Sequence, residues 1–84
     1  MDDRLGDRLH IIHLFDIYGG LLTSRQQRLM RFYYHDDLSL GEIADRLQIT
    51  RQAVNDSLHR SIVEVTRFER HLGLVRQRTS GETA

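Results

Sequence analysis

Apolar residues recur along this chain at intervals of three and four, the spacing of helix faces, in stretches separated by polar or glycine-containing breaks. Residues 4–22 (RLGDRLHIIHLFDIYGGLL) place apolar side chains at 5, 9 and 12 and again at 11, 14, 15, 18, 21 and 22, which predicts a first helix. Its stripe is wider than one partner helix would cover, so it predicts packing on two neighbours, or on one neighbour and a second subunit. Gly19-Gly20 weakens the last turns by about 1 kcal/mol per residue relative to Ala. Either the helix ends early there or another backbone passes close. Thr23 predicts the start of a second helix, with Gln26 three residues on as its capping-box partner. Leu29, Phe32 and Tyr33 form the expected core face, Met30 fills one side, and His35-Asp36-Asp37 closes the element in a polar connection.

The stretch 38–60, LSLGEIADRLQITRQAVNDSLHR, predicts a helix-turn-helix. Ser39 caps a short helix whose third residue is Glu42, so hydroxyl and carboxylate satisfy each other's orphan backbone N–H groups. Leu38 and Ile43 flank that box as a hydrophobic staple. Ile43 and Leu47 make an apolar stripe with the small Ala44 between them, where a second helix can cross closely. Thr50 is a second N-cap, Ile49 and Val54 a second staple, and Val54 and Leu58 begin a new stripe. Gln48 stands where the turn wants a residue at positive φ, commonly Gly, and its Cβ costs roughly 1–2 kcal/mol there. The alternative reading is a pair of amphipathic helices in a generic bundle. The helix that starts after Thr50 keeps apolar residues at 54, 58, 62, 65, 68 and 72 until Gly73 offers a C-cap. A recognition helix needs only about three turns. The distal part, Ile62 to Leu72, must therefore cover its stripe with the first helix or with a second copy of the chain.

Composition narrows the class. The 84 residues contain no Pro and no Cys and are 39% apolar, which suits one small all-helical domain and not a disulfide-stapled scaffold. A core of that size only just outweighs chain entropy, and oligomerisation is a natural supplement. The expected division is one helical domain over residues 1–75 and a frayed tail over 76–84. No apolar run has the length to cross a bilayer, and MDDRLGDRLH lacks the apolar core of a signal peptide, so the expected compartment is the cytoplasm, with no membrane insertion.

Charge complicates the picture. Twelve basic residues, all Arg, face twelve acidic ones for a formal net charge of zero, whereas most autonomous DNA-binding domains carry a positive excess. The balance conceals a gradient. Residues 1–22 hold Arg4 and Arg8 against four Asp, while residues 57–84 hold five Arg against Glu64, Glu69 and Glu82. The reading region itself, 38–56, holds Arg46 and Arg51 against Glu42, Asp45 and Asp56.

Candidate chemistry is that of binding. The chain has no glycine-rich phosphate loop and no nucleophile elbow, and its five His lack a carboxylate-supported ligand set. An enzyme, a metal site and a cofactor are therefore not expected. Facing away from the Val54-Leu58 stripe, the first turns of the last helix present Arg51, Gln52, Asn55 and His59. Arg pairs with guanine, and Gln or Asn with adenine, through two hydrogen bonds each. Arg25, Arg28 and Arg31 form a ridge on the second helix that could lie along a phosphate backbone or be an ordinary solvated face. Arg60 joins them as a phosphate-binding candidate. Asp56 opposes the groove reading unless it pairs with Arg60 or Gln52.

The segments LFD at Leu14 to Asp16, YGGLLT at Tyr18 to Thr23, YY at Tyr33-Tyr34, DLSLGEIA at Asp37 to Ala44, and RQAV with Asp56 and Arg60 resemble the YlxM family. The resemblance covers about residues 13–70. It implies an all-α, four-helix domain with a helix-turn-helix similar to sigma-factor region 4 and a long C-terminal helix. It also implies a regulatory role linked to the signal recognition particle pathway, whose GTPase and receptor genes lie beside those of the family. Asn55 departs from the family pattern, which carries an aromatic residue at that position. Two functions follow. One is nucleic-acid binding, to signal recognition particle RNA or duplex DNA, through the eight residues Arg51, Gln52, Asn55, His59, Arg60, Arg25, Arg28 and Arg31. The other is a protein-interaction module that forms a homodimer or docks on the signal recognition particle GTPase.

Overall fold

The computed structural model describes residues 4–74, and these form four α-helices with no strand among them. They are α1 (Arg4–Tyr18), α2 (Ser24–Tyr34), α3 (Leu40–Leu47) and α4 (Arg51–Leu72), with a short 3-10 turn at Gly19–Leu21. The all-α, four-helix expectation holds, and the expected tail at 76–84 lies outside the described residues.

Each boundary has a local cause. At α2 the Gln26 N–H donates to Thr23 Oγ1 (3.1 Å) and the Thr23 N–H to Gln26 Oε1 (3.0 Å), the expected reciprocal box. Gly73, at φ 63°, ends α4 in the left-handed conformation that only Gly adopts without strain, and its N–H donates to the Glu69 carbonyl at 2.7 Å. The first helix stops at Tyr18, four residues short of the expected Leu22, and tightens into the 3-10 turn closed by the Leu22 N–H on the Gly19 carbonyl (3.0 Å). Of the two alternatives at Gly19-Gly20, the early end is the one adopted. What crowds Gly19 is a ring and not a backbone, because a Cβ there would lie 2.8 Å from Phe15 Cε1.

The core is continuous across all four helices. Leu14, Leu29, Met30, Ile43, Val54 and Val65 are fully buried, with Tyr18 at 1% exposure. The face of α2 is rotated from expectation, with Leu29, Met30 and Tyr34 buried and Phe32 and Tyr33 half-buried. This helix packs against α4, α3 and α1 together, so its covered face is wide and centred between Met30 and Tyr33. Phe32 at the rim lies under the Arg46 guanidinium, 5.7 Å from its centroid.

The distal stripe of α4 is covered by α1 only in part, since Leu72 remains 51% exposed. Val65 is buried, Phe68 stacks at 6.0 Å on Tyr18, and the Tyr18 hydroxyl donates to Glu69 Oε1 at 2.7 Å while accepting from the Leu74 N–H at 3.1 Å. Burial first, and then the hydrogen bond to the Glu69 carboxylate, push the Tyr18 hydroxyl above its ordinary value of 10.0. Ser61, fully buried on the same helix, returns its hydroxyl to the Ser57 carbonyl at 2.8 Å and so leaves no polar atom orphaned. The broad stripe expected over residues 4–22 is only partly covered, since Leu9 of α1 remains 64% and Leu21 of the 3-10 turn 61% exposed.

Candidate nucleic-acid interface

The turn between α3 and α4 is specified residue by residue. Ser39 accepts from the Glu42 N–H (3.1 Å) and its own N–H donates to Glu42 Oε1 (2.8 Å), which holds that carboxyl below its ordinary range. Gln48 occupies the left-handed region at φ 59°, as the turn demands, and its amide donates to the Asp45 carbonyl at 3.0 Å. The Gln48 and Ile49 N–H groups both reach back to the Ala44 carbonyl, which closes α3 with a Schellman-type end. Thr50 Oγ1 then accepts from the Ala53 N–H at 3.0 Å and opens α4.

With Ile43, Ala44, Val54 and Leu58 sealed in the core, the opposite side of α4 is fixed in solvent. Arg51, Gln52, Asn55, Asp56, His59 and Arg60 are all exposed. Asn55, His59 and Arg60 line one shallow hollow with Asp56 and Val63. Asn55 and His59 also border a second hollow, walled by Tyr33, Tyr34, Leu40 and Leu58. Arg51 turns back toward the start of α3, its Nε 3.8 Å from where a Gly41 Cβ would stand. Asp56 makes no ion pair among the described residues, with Arg60 or otherwise, so its charge stays on the reading face.

The arginines of α2 form a separate group. Arg25, Arg28 and Arg31 are exposed as expected, and Arg25 and Arg28 border a hollow with Ser24 and with Leu47, the last residue of α3. Arg25 and Arg28 thus lie beside the end of α3 and share no hollow with Asn55 and His59.

One arginine carries a role that no sequence pattern marks. Arg8 Nη2 donates to the Tyr34 carbonyl (3.1 Å), the Tyr33 carbonyl (3.4 Å) and Asp37 Oδ1 (2.6 Å). Its guanidinium lies 5.2 Å from the Tyr34 ring centroid. It satisfies the C-terminal carbonyls of α2 and holds Asp37, itself at φ 57°, at the point where the chain turns toward α3. No local spacing announces a partner 29 residues away.

Comparison with known proteins gives a consistent relationship. Residues 5–83 match the family UPF0122, described as "Putative helix-turn-helix protein, YlxM / p13 like". The UPF0122 protein of Desulforamulus reducens is 54% identical over 67 residues, which cover 79% of this chain and 57% of that protein. The UPF0122 protein of Symbiobacterium thermophilum is 49% identical over 69 residues, covering 82% and 64%. That of Thermoanaerobacter sp. (strain X514) is 46% identical over 77 residues, covering 92% and 63%. The chain thus spans less than two thirds of the length of these relatives. Among the described residues no helix is long and apolar enough to cross a membrane.

Proposed function

The chain belongs to the UPF0122 family of YlxM-like helix-turn-helix proteins, a family described by its fold and not by any catalysed reaction, and from that premise we propose that it is a regulatory nucleic-acid-binding protein linked to the signal recognition particle pathway. The observation that carries this reading is the division of the first turns of α4. Val54 and Leu58 are committed to the core, while Gln52, Asn55 and His59 are exposed on the other side of the helix and Arg51, also exposed, turns toward the start of α3. Those side chains have the donors and acceptors that base edges require. Arg60 and the α2 arginines Arg25, Arg28 and Arg31 supply charge toward phosphates.

The test is a salt titration of binding to duplex DNA and to signal recognition particle RNA. Affinity that falls steeply with salt, and that Gln52→Ala with Asn55→Ala lowers more for some sequences than for others, supports the reading. No measurable binding to either probe at low salt defeats it.

A second reading rests on Leu9, Leu21 and Leu72, which are 64%, 61% and 51% exposed. Apolar side chains left in water suit a protein partner, either a second copy or the signal recognition particle GTPase. A monomer at micromolar concentration in sedimentation, with no binding to the GTPase, removes it.

A further inference from the structure

The zero net charge hides a segregation along α4 that only the folded chain reveals. Beyond Asp56 the exposed residues of this helix are His59, Arg60, Val63, Arg67, Arg70, His71 and Leu72, and none is acidic. The two acids of that stretch are turned toward neighbouring helices. Glu64 is half-buried and accepts from Gln26 Nε2 of α2 at 3.5 Å, and Glu69 is half-buried and accepts from the Tyr18 hydroxyl of α1 at 2.7 Å. Among the described residues Arg60, Arg67 and Arg70 form no ion pair. Steps of seven and three residues keep these three arginines on one side of the helix over about 15 Å, a distance that spans more than one phosphate of a strand.

Helix length gives this edge a place in a complex. The 22 residues of α4 extend about 33 Å, against a major groove roughly 12 Å wide and 8.5 Å deep. A helix that enters such a groove by its N-terminal turns has left it well before Arg67. Side chains in its second half then meet the sugar-phosphate strand at the groove's edge, not the bases.

We propose that Arg67 and Arg70 extend the nucleic-acid surface of this protein past the reading turns, as sequence-independent contacts to phosphates flanking the site read by Gln52 and Asn55. This rests on the nucleic-acid reading above. Arg67 and Arg70 set affinity and register, and the residues before Arg60 set preference.

The experiment measures binding of the chain to two DNA duplexes of different sequence, an RNA hairpin and phosphatidylserine-containing vesicles across a range of salt. Four proteins are compared: wild type, Arg67→Gln with Arg70→Gln, Arg67→Lys with Arg70→Lys, and Gln52→Ala with Asn55→Ala. The expected result is a log affinity against log salt slope that is shallower by about 1.4–1.8 in the double Gln variant, since each phosphate left without its arginine takes roughly 0.7–0.9 off the slope. Its relative affinities for different sequences stay unchanged, and the double Lys variant returns to the wild-type slope because a point charge suffices for phosphate. Wild-type slopes in the double Gln variant, alongside weakened binding by the Gln52→Ala, Asn55→Ala protein, would end the interface at Arg60 and overturn this inference alone. Intact nucleic-acid slopes with abolished vesicle binding assign the edge to an anionic lipid surface and overturn it equally. Absence of wild-type binding to both nucleic acids takes down the underlying function and this extension together.

Discussion

The two halves of α4 are held by different kinds of interaction. From Arg51 to His59 the helix is fixed by its near neighbours in sequence: the Thr50 cap, the left-handed Gln48, and the α3 residues Ile43 and Ala44. From Ile62 to Leu72 it is held by α1, from the other end of the chain, through Phe68 against Tyr18 and the Tyr18–Glu69 hydrogen bond, with Gln26 of α2 adding a contact to Glu64. The half that presents the reading residues is therefore the half specified locally. The distal half borrows its order from a helix that no short-range signal ties to it.

The comparison breaks most severely at Ile43. Ile43→Ala empties a fully buried site at the base of the reading turns, and should cost about 2–5 kcal/mol in urea unfolding, a large share of the stability of so small a domain. Tyr18→Phe keeps the ring but removes the hydroxyl that joins Glu69 and the Leu74 N–H, so a smaller loss is expected. Amide exchange should quicken in the last turns of α4 and not in α3. Because the folded value of Tyr18 lies above its ordinary 10.0, its contribution is complete below pH 10 and is lost as pH rises through the folded value. The alkaline limb of the stability curve should therefore flatten in Tyr18→Phe.

Gln48→Gly sharpens the comparison in the opposite direction. Removing a Cβ at φ 59° should stabilise the protein by about 1 kcal/mol, raising Tm by roughly 4–8 °C. The smallest effect is expected at Glu42, whose carboxyl is held below its ordinary 4.5 first by the Ser39 N–H and then by the Ser39 hydroxyl. That contribution is present above pH 4.5 and disappears as pH falls through the folded value, so Glu42→Gln should lower Tm slightly at neutral pH, leave it unchanged in acid, and so flatten the acid limb.

What can be read from the sequence follows the same division. Thr23, Ser39, Thr50 and Gly73 announce their caps because a cap is a matter of three or four consecutive residues, and each stands where the pattern predicts it. The exposure of Arg51, Gln52, Asn55 and His59 is legible too, as the complement of the Val54–Leu58 stripe. The choice of Tyr34 over Tyr33 as the buried tyrosine of α2 is not. The two are about 100° apart on one helix, and only the positions of α1, α3 and α4 decide between them. The basic edge of α4 is likewise not legible, because it depends on Glu64 and Glu69 being drawn toward other helices. Both are consequences of tertiary packing and leave no periodic trace, whereas the early end of α1 is one of the two outcomes that Gly19-Gly20 announces.

Arg8 has a kinetic corollary. Its acceptors lie 25, 26 and 29 residues further along the chain, so the strap closes only after α1 and α2 have already met. An interaction that forms after the barrier to folding has been crossed leaves the refolding rate alone and slows the escape from the native state. In stopped-flow measurements Arg8→Gln should leave the refolding arm unchanged and raise the unfolding rate. Equal changes on both arms would mean that the amino-terminal helix is already docked at the rate-limiting step.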